Sequence, residues 1–297
     1  MSSVFETIKE NPKAVLPDQD KIQLADGQVW VPGAYEGTLL RSSFDIKQHV
    51  WTNWVCSKKV RLFILEPSDE NMKTIEDMAV KYSAISLSDP VISFLSRSRL
   101  PEDKIAKAGL RLLKESSSRE AVKLGIALLG RTHDIDAAKD VETASYCEEF
   151  TLYGAVSLKN MLPQDDADEA LMRIAQKVSG WGKISLMYEL NYEKEDIRAW
   201  TVKYGCENDI GLPYLANVCA IKGKMASYME NLEKLDADEF KGICNIFRGL
   251  LNAGKDNDGI YEYPEAVKAT RLFRELIKKD PAQMSEASDF NDQLPIT

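Results

Sequence analysis

The chain has 297 residues and a mass of 33.4 kDa, a length that suits one large domain or two ordinary ones and buries a substantial core. Hydrophobic residues make up 44% and charged residues 29%, the profile of a soluble globular protein. Asp plus Glu is 47 against 38 Lys plus Arg, which argues against general DNA or RNA binding, because that needs a dense cationic footprint.

In chain order, residues 1–66 read as an irregular N-terminal cap. They carry Pro12, Pro17, Gly27, Pro32, Gly33 and Gly37. Gln28-Val-Trp-Val31 alternates as a short strand does, with room for one hairpin. Val60–Leu65 fits a strand or the end of a helix. From residue 67 the signals are helical. Ser68-Asp-Glu opens a helix with acidic residues where they complement the helix dipole. Ser88-Asp-Pro90 reads as another helix start. Pro101-Glu-Asp opens a helix through Lys114, and Ser117 or Ser118 caps the next, ending at Gly130. His133-Asp134 is a turn before a capped helix. Asp165, Asp166, Asp168 and Glu169 crowd the start of a helix that ends near Gly180. Further helices fit 182–191, 194–204, 207–222, 237–253 and 263–279. Residues 281–297 form a polar, loose tail.

A weak repeat runs through about 101–222. Apolar helices begin at Arg119, Glu149, Trp181 and Asp209, about 30 residues apart, with amphipathic helices between them. A stacked two-layer array needs that alternation, because inner helices are covered on both sides and outer ones on one. The fold expected is all-α: a right-handed HEAT-like α-solenoid of stacked helix pairs over 67–280. An irregular helical bundle is the alternative.

Cys56, Cys147, Cys206, Cys219 and Cys244 are scattered and odd in number, so they suggest a reducing, cytoplasmic setting rather than a disulfide framework. Met1–Asp20 lacks the apolar stretch of a signal peptide. The longest apolar runs are too short to cross a bilayer. With only His49 and His133, most His-rich metal sites are removed, and a two-His iron site from this pair has no motif behind it. No metal site is expected.

Several motif-like stretches have plainer readings. Gly249–Lys255 imitates a phosphate-binding loop, but Asp256 stands where Ser or Thr must hold magnesium. Asp256–Glu265 imitates part of a calcium loop, but Gly254 occupies its first position. Gly180-Trp-Gly-Lys183 lacks the strand that precedes a dinucleotide fingerprint. No Tyr-x-x-x-Lys or Gly-x-Ser-x-Gly is present. The carboxylates at 165–169 are explained as helix-start charges. Lys104, Lys107, Arg111 and Lys114 share one helical face, solvated or set to meet an acidic protein partner. Trp181, Tyr188, Trp200, Tyr204 and Tyr214 either line an apolar substrate pocket or fill the core between repeats.

Ile197–Ile210, continuing Tyr214–Gly223, together with Gly180–Lys183, Val31–Glu36 and Gly259–Pro264, resembles bacterial proteins of the limonene hydroxylase family over about a third of the chain. The resemblance implies oxidation of limonene to carveol and perillyl alcohol, with onward alcohol oxidation and NAD(P)H as the expected cofactor. It transfers no catalytic residue. Such C–H hydroxylation needs a redox cofactor or metal, and the residues show no signature of one. A non-enzymatic repeat scaffold that binds another protein on its concave face is the alternative.

Overall fold

The computed structural model describes residues 3–14, 16, 30–41, 50–254 and 258–295. Among these the secondary structure is helical, with no strand. The chain divides into two compact units, Met1–Leu186 and Met187–Thr297.

The first unit holds α1 (Val4–Glu10), α2 (Ala34–Arg41), α3 (Val50–Leu65), α4 (Asp69–Tyr82), α5 (Ala84–Ser96), α6 (Glu102–Glu115), α7 (Arg119–Leu129), α8 (Ile135–Ser145), α9 (Thr151–Met161) and α10 (Gln164–Ala175). Short α11 (Trp181–Met187) follows, all but its last residue within this unit. Local chemistry sets many starts. Ser68 accepts from the Asn71 N–H, Ser118 from Ala121, and Asp134 from Asp136 and Ala137, each satisfying donors that a helix start leaves over.

α7 is the centre of this unit. Ten of its eleven residues are buried, and it packs against α4, α5, α6, α8 and α9. α7 packs on both α5 and α9, α10 packs on α9 and α8, and the hairpins α6/α7 and α8/α9 link successive helices. Gly109 of α6 and Gly125 of α7 let the first hairpin close tightly: a Cβ on Gly125 would meet the Gly109 carbonyl at 2.9 Å.

The structure corrects three expectations here and bears out the end of α7 at Gly130. The cap is not irregular where it is described: α1, α2 and the 16-residue α3 lie within residues 1–66, and Val60–Leu65 is the end of α3. α3 hides its helical period because exposed Trp54, Leu62 and Leu65 share the helix with buried Cys56, Val60, Phe63 and Ile64. Of the expected strand, Gln28 and Val29 lie outside the described residues, and Trp30 and Val31 are not in a strand. Pro90 does not open a helix but sits inside α5, which starts six residues earlier because the Glu120 carboxylate accepts the Ala84 N–H at 2.6 Å. Gly130 ends α7 with φ −59°, so its smallness serves the close approach of Ser157, whose Cα a Cβ would meet at 3.0 Å.

The second unit holds α12 (Glu195–Trp200), a π-turn Thr201–Gly205, α13 (Pro213–Lys222), α14 (Met225–Glu230), α15 (Ala237–Leu251), α16 (Ala266–Ile277), α17 (Pro281–Glu286) and α18 (Ser288–Asn291). The π-turn packs on α15. Gly242 makes this possible, since a Cβ there would sit on the carbonyl oxygens of Val202 and Lys203 and 2.7 Å from the Lys203 Cα. Backbone cannot swing aside as a side chain can. Gly242→Ala is therefore expected to lower stability by about 1–3 kcal/mol, the usual cost of overpacking, in urea unfolding followed by circular dichroism. A loss under about 0.5 kcal/mol would contradict this packing.

The expected loose tail is also corrected. Asp280 caps α17 and Pro281 takes its first position. Phe290 is buried, its ring 6.0 Å from Phe273 and 6.4 Å from Phe247. Ala287 and Leu294 are buried with it, and Arg274 donates to Asn291, so the segment is docked.

Candidate functional site

Helix α7 carries three charged residues into the core of the first unit. Lys123 is 2% exposed. Its ammonium donates to Glu36 Oε1 at 2.5 Å, to Glu120 Oε1 at 2.6 Å and lies 2.6 Å from Glu149 Oε1. An ammonium has three N–H donors, so a carboxylate stands at each. Glu120 lies one turn back on α7, Glu36 comes from α2, and Glu149 precedes α9.

The carboxylates have second partners. Glu120 Oε2 caps α5 through the Ala84 N–H. Glu149 accepts from the Gly33 backbone, where φ is +75°, a conformation that favours glycine. Arg119 Nη1 lies 3.5 Å from Glu149 Oε2. The cluster thus ties Val31–Glu36 to α5, α7 and α9.

Two cations face three carboxylates, so one negative charge is left over. Burial decides where it is relieved. Burial raises the Glu36 pKa and outweighs the opposing pull of Lys123. At Glu149 burial also pushes upward, but the charges of Lys123 and Arg119 prevail and hold its pKa below the ordinary carboxylate value. At Lys123 burial favours the neutral amine, yet Glu149, Glu36 and Glu120 together hold the ammonium pKa well above its usual value. Glu36 is the member suited to carry a proton. Tyr153 of α9 is buried beside the cluster, with Lys123 Nζ 6.0 Å from its ring centroid. Its hydroxyl has no hydrogen-bond partner among the described residues.

Glu36, Glu120 and Glu149 each offer an oxygen within 4.8 Å of the others, the spacing of a cation site. The Lys123 ammonium already takes the cation's place. As it stands, the arrangement is a charge-compensated fastening rather than a nucleophile or an open metal centre.

The neighbouring Gly180–Lys183 is also explained by a carboxylate. Glu148 accepts the N–H groups of Ser179 at 2.6 Å, Gly180 at 2.8 Å and Gly182 at 2.6 Å. The N-terminus of α11 is thereby closed by a built-in anion, where a nucleotide pyrophosphate would need those donors. The residues present do not fit NAD(P)H at this turn. Trp181 belongs to the same assembly, because its ring leaves no space for a Cβ on Gly37.

Of the other aromatics, Tyr188, Trp200, Tyr204 and Tyr214 belong to the second unit. The rings of Trp200 and Tyr204 are 6.3 Å apart. Tyr204 donates its hydroxyl to Asp238 at 2.6 Å, and Tyr188 is 54% exposed. The cationic face of α6 divides. Arg111 pairs with Asp69 and, at 2.9 Å, with Glu115; Lys114 pairs with Asp140 at 2.6 Å. Lys104 and Lys107 are exposed.

His133 is exposed with Nδ1 3.1 Å from Glu102, while His49 lies outside the described residues. All five cysteines are free and buried. Gly249 lies inside α15, packed against Ala216 and Leu212; Lys255, Asp256 and Asn257 lie outside the described residues. No helix among the described residues is long and apolar enough to cross a membrane.

The sequence reading passed over Glu36, Glu120, Lys123 and Glu149. The signal for three of them was present: Arg119, Glu120 and Lys123 interrupt a helix whose other residues are apolar or small, and Glu148-Glu149 directly precedes another. Comparison with models of known families, with curated proteins and with solved structures gave no match.

Proposed function

We propose that the chain is a helical-repeat scaffold, stacked in the HEAT manner, that binds another protein. The observation that carries this reading is the packing of α7 on both α5 and α9 in the first unit, with the hairpins α6/α7 and α8/α9 joining successive helices. Repeat stacks of this kind present extended surfaces suited to partners. The buried cluster supports the same reading, since its lysine is fully engaged with carboxylates and acts as a rivet between successive hairpins.

The test is affinity capture from extract of the producing cell, followed by reconstitution with the purified candidate. A saturable complex of fixed stoichiometry is the expected result. Absence of any saturable partner, with folding confirmed by circular dichroism, would overturn the reading.

A second reading is limonene oxidation. Its support is local: Ile197–Ile210, part of the resemblance, contains the π-turn Thr201–Gly205 beside Trp200 and Tyr204, and π-turns gather at functional sites. Limonene, NADPH and oxygen are incubated with cell extract, with and without the purified chain, and products are read by mass spectrometry. Carveol or perillyl alcohol formed only with the chain would favour oxidation over the scaffold.

A further inference from the structure

The outer face of α3 differs in charge from the rest of the molecule. The chain as a whole has an excess of acid, 47 against 38, and several surface cations in the first unit meet a carboxylate, as in Lys114–Asp140 and Arg173–Glu142. α3 contains no acidic residue. Its Lys58, Lys59 and Arg61 are exposed. They make no ion pair among the described residues, and neither does exposed Lys81 of α4, the helix packed beside it. Lys59 and Lys81 both act on the buried Cys56 thiol, where burial raises the pKa and the two ammonium charges pull it down. They therefore belong to one positive patch.

Apolar surface is interleaved with this charge. Trp54 is 48% exposed and Leu62 50% exposed. The Lys58 ammonium stands 3.6 Å from the Trp54 ring centroid, a cation–π contact that holds the indole at the surface. Trp and Arg are the residue types that dominate interface hot spots, and α3 exposes both Trp54 and Arg61. The spacing 54, 58, 61, 62 places these side chains along one side of the helix.

We infer that this face of α3 docks an acidic, partly apolar segment of another protein. The inference rests on the scaffold reading and names the surface and the partner's chemistry. Charge complementarity selects the occupant: four exposed cations with no carboxylate partner among the described residues, around two apolar side chains, call for carboxylates interleaved with apolar groups. An anionic membrane is the weaker fit. Interfacial helices separate an apolar face from a basic one, whereas here Lys58 and Arg61 lie between Trp54 and Leu62.

The test uses the full chain and two probes. The first is a fluorescein-labelled helical peptide with alternating Leu and Glu turns, read by anisotropy, against a peptide with Lys in place of Glu. Three exposed charge contacts are together worth about tenfold in affinity. Reversal of charge at K58E, K59E and R61E together, and separately W54A, is therefore expected to weaken binding of the acidic peptide about tenfold. All four side chains are exposed, and circular dichroism checks that the fold is kept. The second probe is a benzophenone side chain placed at Leu62 or at Val156, which is 43% exposed on α9, irradiated in cell extract with adducts sequenced by mass spectrometry. Acidic peptide adducts at position 62, lost on charge reversal, support the inference. Protein adducts at 156 but not at 62 would overturn it and leave the scaffold reading standing. No protein adduct at either position would count against both. Lipid adducts at 62, or equal binding of the acidic and basic peptides, would also overturn it.

Discussion

Lys123→Met is expected to lose about 3–5 kcal/mol of stability at neutral pH, the cost of breaking a buried ion pair by removing one partner. Methionine has nearly the length of lysine, so little volume is lost and the effect is electrostatic. Glu36, Glu120 and Glu149 would remain buried, facing one another, with only Arg119 nearby at 3.5 Å from Glu149. Urea unfolding at pH 7 measures the loss. The gap to the native chain should narrow as pH falls through the carboxylate range, because protonation relieves the repulsion in the variant. The native Lys123 has a raised pKa. Its contribution is therefore complete below the unfolded lysine value of about 10.4 and is lost only as pH rises through the higher folded value. A loss below about 1 kcal/mol would mean that the ammonium is not the centre of the cluster. Truncation further, Lys123→Ala, leaves three oxygens at cation-site spacing. Added Ca²⁺ or Mn²⁺ is then expected to raise the Tm of that variant and not of the native chain, by binding linkage.

The same cluster shows where sequence reasoning reaches and where it stops. Local capping was legible: Ser68, Ser118 and Asp134 each bond an N–H two or three residues ahead, and such short-range chemistry is written in neighbouring letters. The start of α5 was not, because its cap is Glu120, 36 residues away. A proline with Ser and Asp before it imitates a helix start, and only the tertiary carboxylate reveals the true one. The alternation of apolar and amphipathic helices over about 101–222 foretold the all-α class and the buried α7. It did not foretell Glu36, which meets Lys123 across 87 residues. The fragments Val31–Glu36 and Gly180–Lys183 looked like separate motifs in the sequence. They converge on consecutive residues, Glu149 and Glu148, and on the contact of Gly37 with Trp181. Their glycines serve close packing and backbone donation.

Two near-isosteric substitutions in this cluster should move stability in opposite directions. Glutamine imitates a protonated glutamate. Glu149 has a lowered pKa, with burial outweighed by Lys123 and Arg119. Its charged form therefore contributes stability above the unfolded carboxylate pKa of about 4.3, and that contribution is lost as pH falls through the lower folded value. Glu149→Gln is expected to cost about 3 kcal/mol at pH 7, as removal of one member of a buried pair does, and to converge with the native chain in acid. Glu36 has a raised pKa, caused first by burial. Its protonated form is the favoured one, so its contribution is complete below about pH 4.3 and is lost as pH rises through the higher folded value. Glu36→Gln is therefore expected to be more stable than the native chain at pH 7 and equal to it in acid. Urea titrations of the three proteins across pH 3–8 decide the matter. Losses of the same sign in both variants at pH 7 would show that the excess negative charge of the cluster is not relieved by a proton on Glu36. The opposite signs would show that one carboxylate of the rivet, the one that α2 brings to Lys123, is held there against its own charge.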